Sequence, residues 1–300
     1  MNLREVALAL RISTQASLLP PNSNKPPFAL CDHPAMLDLI LLTLTILGYG
    51  AGSTLLLLAA YGVRSDSPNW AIGAGALALT AHAGLLFIPT LHGVPLSTSF
   101  FSALSLVAWA MATVMTITSA TTRARVLLAM IWPIALLSAT ANALIPQAPS
   151  AAISGWQIRL HVVIALSAYA LLSIAALQAL VVAWQERSLR RKHLSLTLRA
   201  LPPLSAMEEL LFQYIVAGFA LLTLTVLSGA LFIEDWMAQH LVHKTILTLL
   251  AWIVFGMLIF GRWRFGWRGR TAVNWTLAGM GVLLLGFFGS KLVLELVLAR

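Results

Sequence analysis

A chain of 300 residues could form two soluble domains, but 59% of it is hydrophobic, only 10% is charged and its mean hydropathy is +0.88. That composition excludes a water-soluble fold and defines an integral membrane protein. The 19 Lys and Arg outnumber the 10 Asp and Glu, yet they lie in short clusters between apolar runs, where the positive-inside rule puts them, so no nucleic-acid partner is expected. A lone cysteine, Cys31, excludes an intramolecular disulfide, and without CxxC or CxxCH there is neither a thioredoxin-like pair nor a site for covalent haem attachment.

In chain order, residues 1–35 carry Arg4, Arg11 and Lys25 without a sustained apolar core, followed by Pro20, Pro21, Pro26 and Pro27. They form neither a span nor a signal peptide. Met36 stands directly before the first apolar run, so the reading is a tail (1–35) that translation from Met36 would omit, and a membrane domain over 36–300. Eight stretches then reach the roughly 20 residues that cross a hydrocarbon core: 37–62, 70–91, 99–120, 126–146, 160–184, 210–233, 244–261 and 272–297. The expected fold is all-α, a polytopic bundle of about eight transmembrane helices. Turn residues separate the spans at Ser65 to Asn69, Gly93 and Pro95, Pro146 and Pro149, and Pro202-Pro203.

Basic residues alternate between loops. Arg64, Arg123, Arg125, Arg187, Arg190, Arg191, Lys192, Arg199, Arg262, Arg264, Arg268 and Arg270 follow odd-numbered spans, whereas the other loops offer Arg159 and Lys244 at span edges. By the positive-inside rule the first set is cytoplasmic and both termini face outward. Trp70, Trp184, Trp263 and Trp267 are then expected at the inner interface, and Trp156 and Trp236 at the outer one.

Carboxylates avoid the membrane core: Asp66, Glu186, Glu208 and Glu209 fall in cytoplasmic loops, Glu234 and Asp235 in an outer loop, and Asp38 and Glu295 near span ends. A proton-coupled carrier generally needs a mid-membrane carboxylate, and none is evident. Histidines gather on the outer half instead. His82 lies about 18 Å into its span, at 1.5 Å per residue; His92 follows in the next loop; His161 opens the fifth span; and His240 and His243 precede the seventh. Imidazole ligates haem iron, zinc and copper. The structural alternatives are an interhelical hydrogen bond for His82 and solvation for His92 and His240, while His193 sits among cytoplasmic arginines. Gly218, Gly229, Gly279, Gly281, Gly286 and Gly289 suggest close helix packing. Ser205 and Glu208 suggest a capping box, and the basic-aromatic run Gly261 to Arg270 suggests a cytoplasmic anchor or a binding surface for anionic headgroups. With no GxGxxG, Walker loop, HExxH or nucleophile elbow, the chain is not expected to be an enzyme, and no catalytic residue is assigned.

Several short segments resemble one family. Leu160-His161-Val162-Val163 with Ser167-Ala168-Tyr169-Ala170 and Trp184-Gln185 resembles the span opened by an outer-face histidine in the CcsA/CcmC cytochrome c assembly family, and His92-Gly93-Val94-Pro95-Leu96-Ser97 is similar to the GHxPLSNxYE segment of CcsA-type proteins. Leu201-Pro202-Pro203-Leu204 with Met207-Glu208, Leu221 to Thr225 with Ser228-Gly229, His243-Lys244-Thr245, Ala251-Trp252, Gly266 to Arg270 and Phe288 to Lys291 resemble its YpjD/HemX-like inner-membrane branch. The resemblance covers residues 36–300.

It implies a multi-pass bacterial inner-membrane protein of cytochrome c-type biogenesis that handles non-covalently held haem on the outer face, alongside other maturation or envelope membrane proteins. His161 is implied as the iron ligand, with His243, His82 and His92 as further cofactor-binding candidates. The chain departs from the family in three places. The tryptophan-rich WWD loop is reduced to Glu234-Asp235-Trp236 and the few residues up to His243, Phe260 replaces a membrane histidine, and the chain reads Phe287-Phe288-Gly289-Ser290 near the partner of the second outer histidine. The alternative is a non-haem accessory or regulatory subunit, an ion-transport partner or a HemX-like regulator of haem synthesis, with structural histidines.

Overall fold

A computed structural model describes residues 33–61, 68–92, 99–119, 125–145, 155–191, 201–232 and 239–289. Among the described residues eight helices follow one another: α1 (His33–Ala60), α2 (Pro68–Leu91), α3 (Phe100–Ser119), α4 (Arg125–Leu144), α5 (Trp156–Arg190), α6 (Leu204–Phe232), α7 (Gln239–Phe265) and α8 (Gly269–Leu284), the last continued by a π-helical turn, Leu285–Gly289. All eight are long and apolar enough to cross a membrane. The residues of the basic tail up to 32, the segments 62–67, 93–98, 120–124, 146–154 and 192–200, the Glu234-Asp235-Trp236 segment and Ser290 onwards lie outside the described residues. The chain divides into two units, 1–39 and 40–300. Of the first, the described part is the opening of α1, and the packing that follows belongs to the second.

Three helices outrun the spans expected, among them α7, which runs Gln239–Phe265 where the sequence predicts 244–261. α5 runs 35 residues, about 52 Å at 1.5 Å per residue, well beyond a core of about 30 Å. α6 begins at Leu204 rather than near 210, because two amides anchor its first turn to α5. Gln185 Nε2 donates to the Pro202 carbonyl at 2.9 Å and Gln178 Nε2 to the Met207 carbonyl at 3.0 Å.

Exposed leucine and isoleucine, among them Leu47, Ile117, Leu137 and Leu231, form the lipid-facing surface, which water would not tolerate but hydrocarbon does. Close approach inside the bundle comes from small residues. Trp132 of α4 is fully buried against Gly52 of α1 and Gly75 of α2, where any Cβ would collide with the indole. Gly218 admits Leu172, and Gly279 admits the Phe255 ring. The packing role expected of Gly281 does not hold, since a Cβ there meets open space.

At one end of the bundle the chain is arginine-rich. Gly266 (φ +67°) and Gly269 (φ +54°) hold the turn between α7 and α8, a conformation that a Cβ disfavours. Between them Trp267 folds back over Gly261 and packs beside Trp275, ring centroids 5.4 Å apart. Trp267 is therefore a wedge between helices at this end, whereas Trp70 and Trp263 are strongly exposed. Glu208 also differs from expectation: its Oε1 accepts the Gly269 N–H at 2.9 Å, so this carboxylate caps α8 rather than its own helix.

Candidate functional site

The four candidate histidines occupy different surroundings. His82, on α2, is fully buried. Its Nε2 is 2.9 Å from Ser105 Oγ on α3, and its Nδ1 is 3.5 Å from the Tyr49 hydroxyl on α1, a weak contact. Both ring nitrogens therefore face protein hydroxyls. Close by, Ser99, Ser102 and Asn142 form a second polar chain joining α3 to α4, with Ser102 Oγ donating to Asn142 Oδ1 at 2.8 Å.

His161 is placed differently. It lies in the second turn of α5, half-buried, on the wall of a cavity of about 460 Å³. Ser228 of α6 contacts its Nδ1 at 2.8 Å, and the same hydroxyl donates to the Thr225 carbonyl at 3.1 Å. A serine has one proton to give. With that proton on Thr225, the oxygen accepts from Nδ1–H, the tautomer that satisfies both bonds and leaves the Nε2 lone pair unused by Ser228. Ligating histidines generally show this arrangement, with the second ring nitrogen donating to a fixed acceptor. Gly229 adds room, because a Cβ on it would come within 3.3 Å of His161 Cε1.

Four helices build the rest of the wall. α5 supplies Ala165, Leu166 and Tyr169; α6 supplies Leu222, Thr225 and Val226; α7 supplies Lys244, Thr245 and Thr248; and the π turn supplies Gly286 and Phe287. The Tyr169 hydroxyl donates to the Leu283 carbonyl at 2.8 Å, which holds its ring 5.5 Å from that of Phe287. Volume and lining suit a ligand of drug-like size or larger with few polar groups. One oriented imidazole, His161, and one ammonium, Lys244, thus stand on a wall that is otherwise mainly apolar.

The cavity wall includes His161 but none of His243, His82 or His92. His243 is exposed on α7, one residue before Lys244, and His92 is exposed just past the end of α2. No side-chain description covers His240. Among the described residues no three His, Cys, Asp or Glu side chains converge as a metal cluster. Sequence reasoning missed Thr225 and Lys244 as wall residues and Ser228 as the partner of His161, although Ser228-Gly229 and His243-Lys244-Thr245 are segments that carry the resemblance. Without knowing which helix faces which, nothing marks them as neighbours of His161.

An eight-span bundle with a histidine-bearing cavity near one end places the chain in a recognisable class. Residues 70–298 match the family described as "Cytochrome C assembly protein", and the chain belongs to it. Among curated relatives, the inner membrane protein YpjD of Escherichia coli K12 is 33% identical over 194 residues, covering 64% of this chain and 73% of that protein. An uncharacterised 28.8 kDa protein of Azospirillum brasilense is 32% identical over 159 residues, covering 51% and 58% respectively. No solved structure matches significantly. Eight apolar helices and this kinship define a multi-pass inner-membrane protein of the cytochrome c biogenesis type.

Proposed function

We propose that the protein holds haem non-covalently in the α5–α8 cavity, with His161 Nε2 as the iron ligand, at the outer face of the inner membrane. One observation carries the reading: the Ser228 contact fixes the imidazole with its free lone pair on the wall of a mainly apolar cavity. Bound haem brings a redox-active iron. The chain's own residues orient the ring (Ser228, Thr225), exclude water (Leu166, Leu222, Phe287) and place a positive charge (Lys244). The outward orientation is supported by the opposite end, where Arg187, Arg190, Arg191, Arg262, Arg264, Arg268 and Arg270 gather at helix termini. On this reading His82 is a structural residue, since ligation would take one nitrogen from Ser105 or Tyr49.

Absorption spectra of the detergent-purified protein, oxidised and reduced, test the proposal. Wild type expressed with ample haem should show a Soret band and reduced α and β bands, and His161→Ala should lose them while keeping its helix content. A wild type that stays colourless after haem titration would overturn the reading in favour of an accessory or regulatory subunit.

A further inference from the structure

A second cavity, of about 220 Å³, lies at the arginine-rich end, between the last turns of α5 and the first turns of α8. It is lined by Ala183, Glu186, Arg187, Arg270, Val273 and Asn274. Two guanidiniums from different helices and one amide thus border a single space. None of Arg187, Arg270 and Asn274 gives its side chain to a hydrogen bond or ion pair with a described residue. Each guanidinium presents five N–H donors in a planar fork, so this wall is rich in unspent donors. Asn274 stands exposed in the second turn of α8, where an amide left facing hydrocarbon is costly.

The carboxylate in the lining is already spent. Glu186 Oε1 receives Arg190 Nε at 3.0 Å and Arg190 Nη2 at 2.7 Å, and Glu186 Oε2 is buried. Glu208, the nearby carboxylate, accepts the Gly269 N–H at 2.9 Å. Glu186 and Arg190 therefore cancel, and Arg187 and Arg270 leave two positive charges uncompensated at the cavity. An occupant that balances them carries two negative charges. Because both guanidiniums border one small space, it carries them on one centre. A carboxylate or a phosphodiester brings a single charge and two acceptor oxygens. A phosphomonoester brings a charge close to −2 at neutral pH and three acceptor oxygens, and arginine forks match phosphate oxygens in pairs. The volume, below the roughly 300 Å³ at which drug-sized pockets begin, suits one phosphate and the first atoms esterified to it.

We propose that this cavity binds a phosphomonoester dianion, held by the Arg187 and Arg270 forks, with the Asn274 amide donating to the remaining oxygen. The assignment does not depend on haem binding in the other cavity. Two sources share this chemistry, the headgroup of phosphatidic acid and a soluble phosphomonoester. Depth favours the lipid: Glu186 stands about 45 Å along α5 from Trp156 at 1.5 Å per residue, beyond a hydrocarbon core of about 30 Å and so at headgroup level. Ala183 and Val273 give the wall an apolar part on the side of the spans.

Native mass spectrometry of the delipidated full-length protein, titrated separately with dioleoyl phosphatidic acid, phosphatidylglycerol, cardiolipin and glycerol 3-phosphate, tests the proposal. Phosphatidic acid should be retained about tenfold better than phosphatidylglycerol, the ratio for one further hydrogen bond to a charged group. R187Q/R270Q should erase that preference, and N274L should reduce it. Excess glycerol 3-phosphate separates the sources. If it leaves phosphatidic acid in place, the ligand is the lipid; if it binds and displaces the lipid from wild type but not from R187Q/R270Q, the ligand is soluble, and either result sustains the phosphomonoester site. Equal retention of phosphatidic acid and phosphatidylglycerol by wild type overturns the proposal, as does tighter retention of cardiolipin, failure to retain either phosphomonoester, or an R187Q/R270Q protein that ranks the lipids as wild type does. Arg187 and Arg270 are exposed, so that variant should fold.

Discussion

His82 and His161 mark the two halves of the bundle, and the protein treats them in opposite ways. In α1–α4 the imidazole is sealed between Ser105 and Tyr49, and the Tyr49 ring lies 6.4 Å from the Trp132 indole, which fills the space opened by Gly52 and Gly75. In α5–α8 one nitrogen is fixed by Ser228 and the ring borders a cavity. A histidine whose two nitrogens are both engaged by protein ties helices together, whereas one fixed at a single nitrogen beside an open volume is equipped for a ligand. Depth in the membrane does not separate these cases; the partners do.

That contrast can be broken experimentally. The largest effect is expected from Gly229→Val, which crowds the His161 ring: haem retention should be lost with helix content unchanged, and a normal Soret band would show that the cavity is not the binding site. Next, Ser228→Ala should weaken haem affinity by about 10- to 100-fold, the usual cost of losing the hydrogen bond behind a ligating histidine, as read by spectroscopic titration. His82→Phe should leave the Soret band in place and lower thermal stability by about 1–2 kcal/mol, because Ser105 loses its buried partner; loss of the Soret band would place His82 in the ligand set. Trp252→Phe removes the 2.9 Å indole bond to Thr223 but keeps the ring stacked on Phe219. About 0.6 kcal/mol is expected, a small shift in melting temperature. The orientation assumed throughout is open to the same treatment. In a Cys31→Ser background, an impermeant maleimide applied to intact cells should label Trp156→Cys and spare Trp263→Cys.

Much of the architecture was legible in the residues. Apolar run length identified eight spans because the hydrocarbon core imposes one length on every crossing helix, and Gly218 and Gly279 read correctly as close-packing positions. What sequence could not supply was adjacency. Ser228, which contacts His161, and Lys244 and Phe287, which line the same cavity, belong to three different elements, and only helix packing brings them to one site. The π turn at Leu285–Gly289 has no compositional signature, yet it sets Gly286 and Phe287 on the cavity wall. Glu208 misled for a related reason: a helix-starting glutamate is a sound local reading, but a tertiary contact with Gly269 recruited it. Tyr169, Thr225, Gly229, Lys244 and Thr245, each from a short segment that resembles the family, are distant in sequence and line the His161 cavity.

The bond from Gly269 N–H to Glu208 has a consequence for biogenesis. α8 has no side-chain cap at its own N-terminus, and the acceptor for its first amide is carried by α6. Spans that enter the bilayer one after another would leave Glu208 charged and unmatched at the membrane surface until α8 arrives. Closing that contact marks the moment at which the α5–α8 half acquires its final shape, so a chain stalled before α8 would present an unpaired carboxylate to the quality-control machinery of the membrane.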